Sequence, residues 1–266
     1  MTTPVAEIPV VILCGGLGTR LREATETVPK PLVDVGGKPI LWHIMKTYSH
    51  FGFRRFVLAL GYRSFDIKEY FLRYREHLSD FTLCLSDDHE PIFHDKNGDE
   101  DWEISCIETG LLTGTGGRIS RVRQHLDKDI FMMTYGDGIG NVDLDALLER
   151  HYAEGRIGTV TAVHPTSRYG EMRVEGAQIV EFNEKPQMVQ GLVSGGFFAF
   201  QREMLNYLSD DEGLFLEQGP LGKLAADGQL SVFPHEGFWM GMDTFRDYTE
   251  LNSLWSAGNP PWKVWA

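Results

Sequence analysis

Short unbroken apolar runs alternate along this chain with stretches whose apolar residues recur every three or four positions. Residues 10–13, 56–60 and 130–134 are apolar almost throughout, the character of strands buried on both faces. Between the first two, Ile40, Leu41, Ile44, Met45 and Tyr48 fall at helical spacing and stop near Gly52. Further helices are predicted over 65–75, 119–126 and 144–152, and a strand over 81–85. The alternation predicts an α/β protein with a mixed, mainly parallel sheet and helices on both faces. The second half predicts a hairpin over 172–182 around Glu175-Gly176, a strand over 192–200 and helices near 203–208 and 221–226. A strand over 230–233 and a terminal helix over 244–255 follow. Residues 86–110, rich in Asp, Glu, Asn and Gly, read as an excursion from the core. With no internal repeat or low-complexity tract, one domain is expected over 1–266, with halves meeting near residue 140.

Composition narrows the partners. The chain has 266 residues, enough for a full core. Its net charge of −13 argues against nucleic acid and anionic membranes as partners. No apolar stretch approaches a membrane span, and the first nine residues lack the basic start and apolar core of a signal peptide. Cys14, Cys84 and Cys106 are odd in number, far apart and set among apolar residues, so they read as reduced core thiols in a cytoplasmic protein.

The chemistry concentrates where the first strand ends, in Cys14-Gly15-Gly16-Leu17-Gly18-Thr19-Arg20-Leu21, followed by Pro29-Lys30-Pro31. A turn without Cβ atoms lets backbone N–H groups approach an anion, and a helix start behind it adds its positive end. Arg20 can fork onto phosphate oxygens and Lys30 supplies a compact second charge. The dinucleotide fingerprint fails at Leu21, where a small residue is needed, and a P-loop lacks its Gly-Lys-Ser/Thr. A polyphosphate site remains, set against a glycine-rich loop with no ligand.

Four other constellations offer chemistry, each with a plain structural alternative. Tyr135-Gly136-Asp137-Gly138 sets a carboxylate at a strand's carboxyl end, where α/β sheets bind ligands; a simple Asp-Gly turn is the alternative. Asp243 is a second carboxylate, yet Thr244 with Asp247 forms a helix-start box, so Asp243 serves either that helix or a Mg²⁺ ion. Thr113-Gly114-Thr115-Gly116-Gly117-Arg118 either lays backbone against a base or ribose, with Arg118 reaching a phosphate, or is a plain turn. Glu184-Lys185-Pro186 either holds sugar hydroxyls and a phosphate or is a solvated turn, and Gly195-Gly196 marks a sugar ring or a packed neighbour. Asp143-Leu144-Asp145 reads as a helix cap, and no histidine pairs with a serine or cysteine as a nucleophile.

Taken together, GGLGTRL, PKPLVDVGGKPILWHIM, TGTGGR, YGDG, EKP, SGGFF, GFWMGMDTFRD and the PPWKVW ending span nearly the whole chain. With them the chain resembles the sugar nucleotidyltransferases, and within them the glucose-1-phosphate cytidylyltransferases. The resemblance implies a Rossmann-like nucleotidyltransferase fold, with the nucleotide in the first half and the sugar phosphate in the second. It places the triphosphate on Gly15, Gly16, Gly18, Thr19 and Arg20, with Leu13, Thr115, Gly116, Arg118 and Asp137 also on the nucleotide side. Lys30 matches a catalytic lysine, joined by Arg20. Asp137 and Asp243 match Mg²⁺ ligands, and Tyr169, Gly170, Glu184, Lys185, Ser194, Gly195 and Gly196 line the sugar phosphate.

The implied reaction joins CTP and a sugar 1-phosphate, giving a CDP-sugar and pyrophosphate, in a homo-oligomer. Departures fall on the sugar side: the family's Phe-Gly-Ala-Leu stands here as Tyr169-Gly170-Glu171-Met172, its Asn-Gly-Gly as Ser194-Gly195-Gly196, and its Glu-Gln-Glu-Pro-Leu as Glu217-Gln218-Gly219-Pro220-Leu221. Rivals are a metal-dependent glycosyltransferase, a nucleotidyltransferase of another base or acceptor, and a non-catalytic sensor.

Overall fold

Strand β1 (Pro9–Cys14) is buried at every position and sits near the middle of a seven-stranded sheet. The computed structural model describes the chain apart from residues 1–2, 22–27, 87–89, 95–99, 165–170, 176–177 and 184–190, and apart from the side chains of 20, 171–175 and 179–183. The other main strands are β2 (Arg55–Leu60), β3 (Glu103–Glu108), β4 (Ile130–Tyr135), β5 (Gly158–Val163), β6 (Val193–Gln201) and β7 (Leu230–His235). Their order is β7-β5-β6-β4-β1-β2-β3. Only β6 opposes its neighbours: β1–β2, β1–β4, β2–β3 and β5–β7 are parallel, while β6 pairs antiparallel with β4 and β5. The mixed, mainly parallel expectation holds.

Period-two alternation explains why these runs must be apolar on both sides. Val10, Ile12 and Cys14 of β1 face one core with Phe56, Leu58 and Met132. Val11 and Leu13 face a second core with Val57, Ala59, Phe131 and Met133. Helix α1 (Ile40–His50) covers the first core with Ile40, Leu41, Ile44, Met45 and Tyr48. It stops at Phe51, before Gly52 takes φ +93°. Next come α2 (Ser64–Leu72), α3 (Tyr74–Leu78), α4 (Thr115–Arg121), α5 (Leu144–Glu154), α6 (Pro220–Ala226) and α7 (Phe245–Ser256). Ile119 of α4 and Leu224 of α6 cover the second core, and Leu144, Leu147 and Leu148 of α5 the first.

Several expectations change. The helix over 65–75 breaks at Arg73 into α2 and α3, and the strand over 81–85 is only Phe81–Thr82, paired with Ile92–Phe93. The excursion over 86–110 ends in core: β3 is the sheet's edge, half-buried and carrying Glu at both ends, a composition that hides a strand. Strand β5 escapes the apolar pattern because Thr159 and Thr161 are buried and polar. The helix over 119–126 starts earlier, with Gly116 and Gly117 inside it. Cys14 is buried and Cys106 half-buried, but Cys84 is exposed and is no core thiol. The hairpin over 172–182 is present as Glu171–Glu175 and Gln178–Asn183. No described helix is long and apolar enough to cross a membrane.

The aromatic tail packs on its own core, with Trp262 fully buried beside His43 and Trp255. The Trp262 indole can only donate, so His43 Nδ1 accepts from it (3.4 Å) and His43 Nε2–H donates to Val35 O (2.8 Å). Burial pushes the His43 pKa down to about 4, although its bond to Val35 favours the charged form.

Candidate active site

The sheet reverses its strand order at β1 and β4, and in such sheets the crevice outside the carboxyl ends of these strands binds ligands. Gly136 N donates to Leu13 O (3.1 Å), holding the two strand ends together. Beyond them opens a cleft of about 360 Å³, lined by the loop from Leu13 to Thr19 and by Lys30, Pro31, Thr113, Thr115, Tyr135, Asp137, Phe215 and Asp243. That volume suits a nucleotide-sized ligand.

Lys30 starts a single 3-10 turn (Lys30–Leu32) between two prolines, which fixes its backbone. Its ammonium donates to Asp137 Oδ2 (2.6 Å) and to Asp243 Oδ1 (2.9 Å). Burial alone lowers a lysine pKa, but the charge and hydrogen bonds of both carboxylates outweigh it here and hold Lys30 above its ordinary value. The lysine is 13% exposed and the carboxylates 36% and 32%, so the cluster opens to the cleft.

Register explains why acids 106 positions apart meet. The short strands Gly138–Gly140 and Trp239–Gly241 pair antiparallel with Gly138 opposite Gly241, and Met242 N donates to Asp137 O (2.8 Å). A Cβ on Gly140 would lie 2.7 Å from Phe238 O, so that ribbon needs glycine there. Helix α7 then begins with its capping box: Thr244 Oγ1 accepts from Asp247 N, and Asp247 Oδ2 accepts from Thr244 N and Asp243 N (2.8 and 3.0 Å). Asp247 caps the helix, so the Asp243 side chain is left to face Lys30. The helix-start box is therefore present on Thr244 and Asp247.

Arg118 lines the floor of the cleft and is tied to the chain's own carbonyls. It is 4% exposed and lies beneath the glycine loop. Its guanidinium donates to Gly15 O (2.9 Å), Leu60 O (3.0 Å), Gly110 O (2.8 Å), Leu111 O (3.2 Å) and Thr109 Oγ1 (2.7 Å). A Cβ on Gly15 would come within 2.0 Å of Arg118 Nη1, so Gly15 is glycine to admit the guanidinium. None of these acceptors is a carboxylate. Arg118 is thus a buried cation that braces the loop and lends it positive potential.

The second glycine turn is shaped by the chain as well. Gly114 N donates to Glu212 O, and Gly116 N and Gly117 N to Leu214 O, so the 211–217 loop lies across the start of α4. Gly116 packs under Leu214, while Thr115 faces the cleft. Gly196 (φ +81°) leaves room for the Tyr135 ring, and Gly195 O accepts from Trp239 Nε1 (2.7 Å). A Cβ on Gly195 would lie 2.7 Å from Val163 Cγ1, so both glycines have packed neighbours. Ser194 Oγ accepts from Gly196 N (3.4 Å). Tyr169, Gly170, Glu184 and Lys185 lie outside the described residues, as does the Arg20 side chain, whose backbone follows Thr19 in the turn Thr19–Leu21.

Beyond the candidate residues, Thr113, Tyr135 and Phe215 line the cleft, and Glu217 bonds two of its hydroxyls. Tyr135 carried a signal, two residues before Asp137 at a strand's end. Glu217 stood out only through the family-like segment it opens, and its partners Thr115 and Tyr135 are 102 and 82 positions away.

A Rossmann-like sheet with a glycine loop and paired carboxylates at its switch point defines a nucleotide-binding α/β protein. The chain belongs to the nucleotidyl transferase family, whose model matches residues 9–257. It is 43% identical over 256 residues to the glucose-1-phosphate cytidylyltransferase of Salmonella typhi, covering 96% of this chain and 98% of that one. It is 42% identical over 255 residues to the probable glucose-1-phosphate cytidylyltransferase of Bacillus subtilis, covering 96% and 99%. Its fold matches the inositol-1-phosphate CTP transferase of T. maritima with a TM-score of 0.65, at 19% identity over 93% of this chain and 96% of that one.

Proposed function

We propose that this chain transfers the cytidylyl group of CTP to a sugar 1-phosphate, with α-D-glucose 1-phosphate as the acceptor. The observation that carries the reading is the Lys30 ammonium held between Asp137 and Asp243 at the mouth of the glycine loop. The near full-length likeness to glucose-1-phosphate cytidylyltransferases supports the choice of base and sugar.

In the reaction a phosphate oxygen of the sugar 1-phosphate forms a bond to the α-phosphorus of CTP. The bond from that phosphorus to the bridging oxygen breaks, and pyrophosphate departs with the electron pair. Such transfers need positioning and charge neutralisation rather than a protein nucleophile. The loop from Gly15 to Thr19 offers backbone N–H groups to the phosphates, braced from below by Arg118. Arg20 and Lys30 neutralise charge on the α-phosphate and the departing pyrophosphate.

The site fits a divalent cation. Two hard carboxylates already share one positive charge, and among the described residues no third His, Cys, Asp or Glu completes a metal cluster. Mg²⁺ takes few protein ligands and keeps phosphate oxygens and water. Asp137 and Asp243 would hold it, and it would supply charge neutralisation to the phosphate oxygens. On the sugar side, Tyr169, Gly170, Glu184, Lys185 and the Ser194–Gly196 turn complete the proposed site, and a homo-oligomer is part of the same reading on resemblance alone.

The test is a grid of sugar 1-phosphates against CTP, UTP, dTTP and GTP with Mg²⁺, read by pyrophosphate release. CTP with glucose 1-phosphate should give the highest rate. Release from another pair reassigns base or sugar, and none from any pair refutes the reading.

A further inference from the structure

Glu217, on the loop that crosses the start of α4, joins two cleft-lining hydroxyls. Its carboxylate accepts from Thr115 Oγ1 (2.7 Å) and from the phenol of Tyr135. Thr115 Oγ1 in turn accepts from Leu216 N (2.8 Å). Each hydroxyl has a single O–H, and both are committed to Glu217. What these three side chains have left to offer a ligand is lone pairs.

We propose that Glu217 sets the hydrogen-bond polarity of this wall, making it an acceptor-only edge that selects a ligand group bearing N–H or O–H donors. The inference rests on the cytidylyl-transfer reading and names what in that site discriminates among substrates. Two parts of the substrates carry the required chemistry. The exocyclic amine of cytosine donates where uracil presents a carbonyl acceptor, and sugar hydroxyls donate where fluorine does not. Thr115 stands on the start of α4, while Tyr135 packs its ring against Gly196, so the edge runs between the nucleotide side and the sugar side. A carbonyl or fluorine placed against it meets lone pairs on lone pairs, and the mismatch costs binding.

Glu217→Gln tests this in the full-length protein. The amide replaces one acceptor oxygen by a donor, so the hydroxyl facing it must turn its O–H elsewhere and the wall gains a donor. kcat/KM is measured for CTP against UTP, and for glucose 1-phosphate against its monodeoxyfluoro analogues. In the variant at least one preference should fall about tenfold or more. A fall in the CTP:UTP ratio assigns the edge to the base amine, and a fall in a hydroxyl:fluoro ratio assigns it to the sugar. Ratios unchanged from wild type overturn the proposal, whatever the absolute rate, because a merely structural role slows all substrates together. Tyr135→Phe removes one acceptor but keeps the ring, and should lower the same ratio; it decides the matter if the glutamine variant does not fold. Absence of wild-type turnover with every pair counts against the function reading instead, and calorimetric Kd values for CTP and UTP then supply the ratio without turnover.

Discussion

Replacing Lys30 with methionine keeps the length of the side chain and removes the cation between Asp137 and Asp243. Two charge-assisted hydrogen bonds of 2.6 and 2.9 Å are lost, and two carboxylates are left facing each other. Fully exposed pairs contribute about 0.2–1 kcal/mol and buried charged bonds about 1.5–3 kcal/mol. With the lysine 13% exposed and the acids about one-third exposed, a net loss of about 1–2 kcal/mol is expected. For a chain of this size that lowers Tm by roughly 2–8 °C. The vacated clamp should then bind a divalent cation better than wild type does before nucleotide arrives. A gain of about 1.4 kcal/mol corresponds to tenfold tighter Mn²⁺ binding. Calorimetry with Mn²⁺ and thermal melts with and without it read both effects, and turnover should fall on the order of 10²–10³. Wild-type Mn²⁺ affinity, or wild-type turnover, in the Lys30→Met protein would refute the clamp.

Three further outcomes follow from the same geometry. Arg118→Ala removes five hydrogen bonds, and although Gly15 O and Leu60 O keep backbone donors from Tyr62 and Thr109, it should lower stability by about 3 kcal/mol or more and weaken CTP binding, measured by denaturant melts and calorimetry. Thr244→Ala removes a helix cap and should lower stability by about 0.5–2 kcal/mol while reducing Mn²⁺ affinity with CTP present, because the same cap orients Asp243. Burial depresses His43 and His151 to about 4, so the unfolded chain binds more protons than the fold between the unperturbed value of about 6.5 and about 4. Stability is full above that window and lost as pH falls through it; a Tm that stays flat from pH 6.5 to 4 would contradict this.

The strands of the sheet's centre were legible because burial on both faces demands uninterrupted apolar residues. The glycine loop and Asp137 stood out as candidates because each follows the carboxyl end of a strand, where such sheets bind ligands, and Lys30 for its charge between two prolines. Strand β3 was not legible, since an edge strand bounded by Glu103 and Glu108 looks like a polar excursion. The meeting of Asp137 with Asp243 depends on the Gly138–Gly241 register, which no local spacing encodes. The motif around Arg118 shows its charge but not the carbonyls beneath the loop that its guanidinium also holds. Glycines were the hardest to assign: Gly15, Gly114 and Gly196 make room for Arg118, Leu214 and Tyr135, and bare sequence cannot separate such packing from ligand contact.

The most direct measurement follows the α-phosphate itself. With [α-³²P]CTP, glucose 1-phosphate and Mg²⁺, the wild-type chain should move the label into CDP-glucose, and an Asp137→Asn protein that melts as a folded domain should leave it in CTP. Label retained in CTP by the wild type, or transferred at full rate by Asp137→Asn, would contradict the paired-acid site.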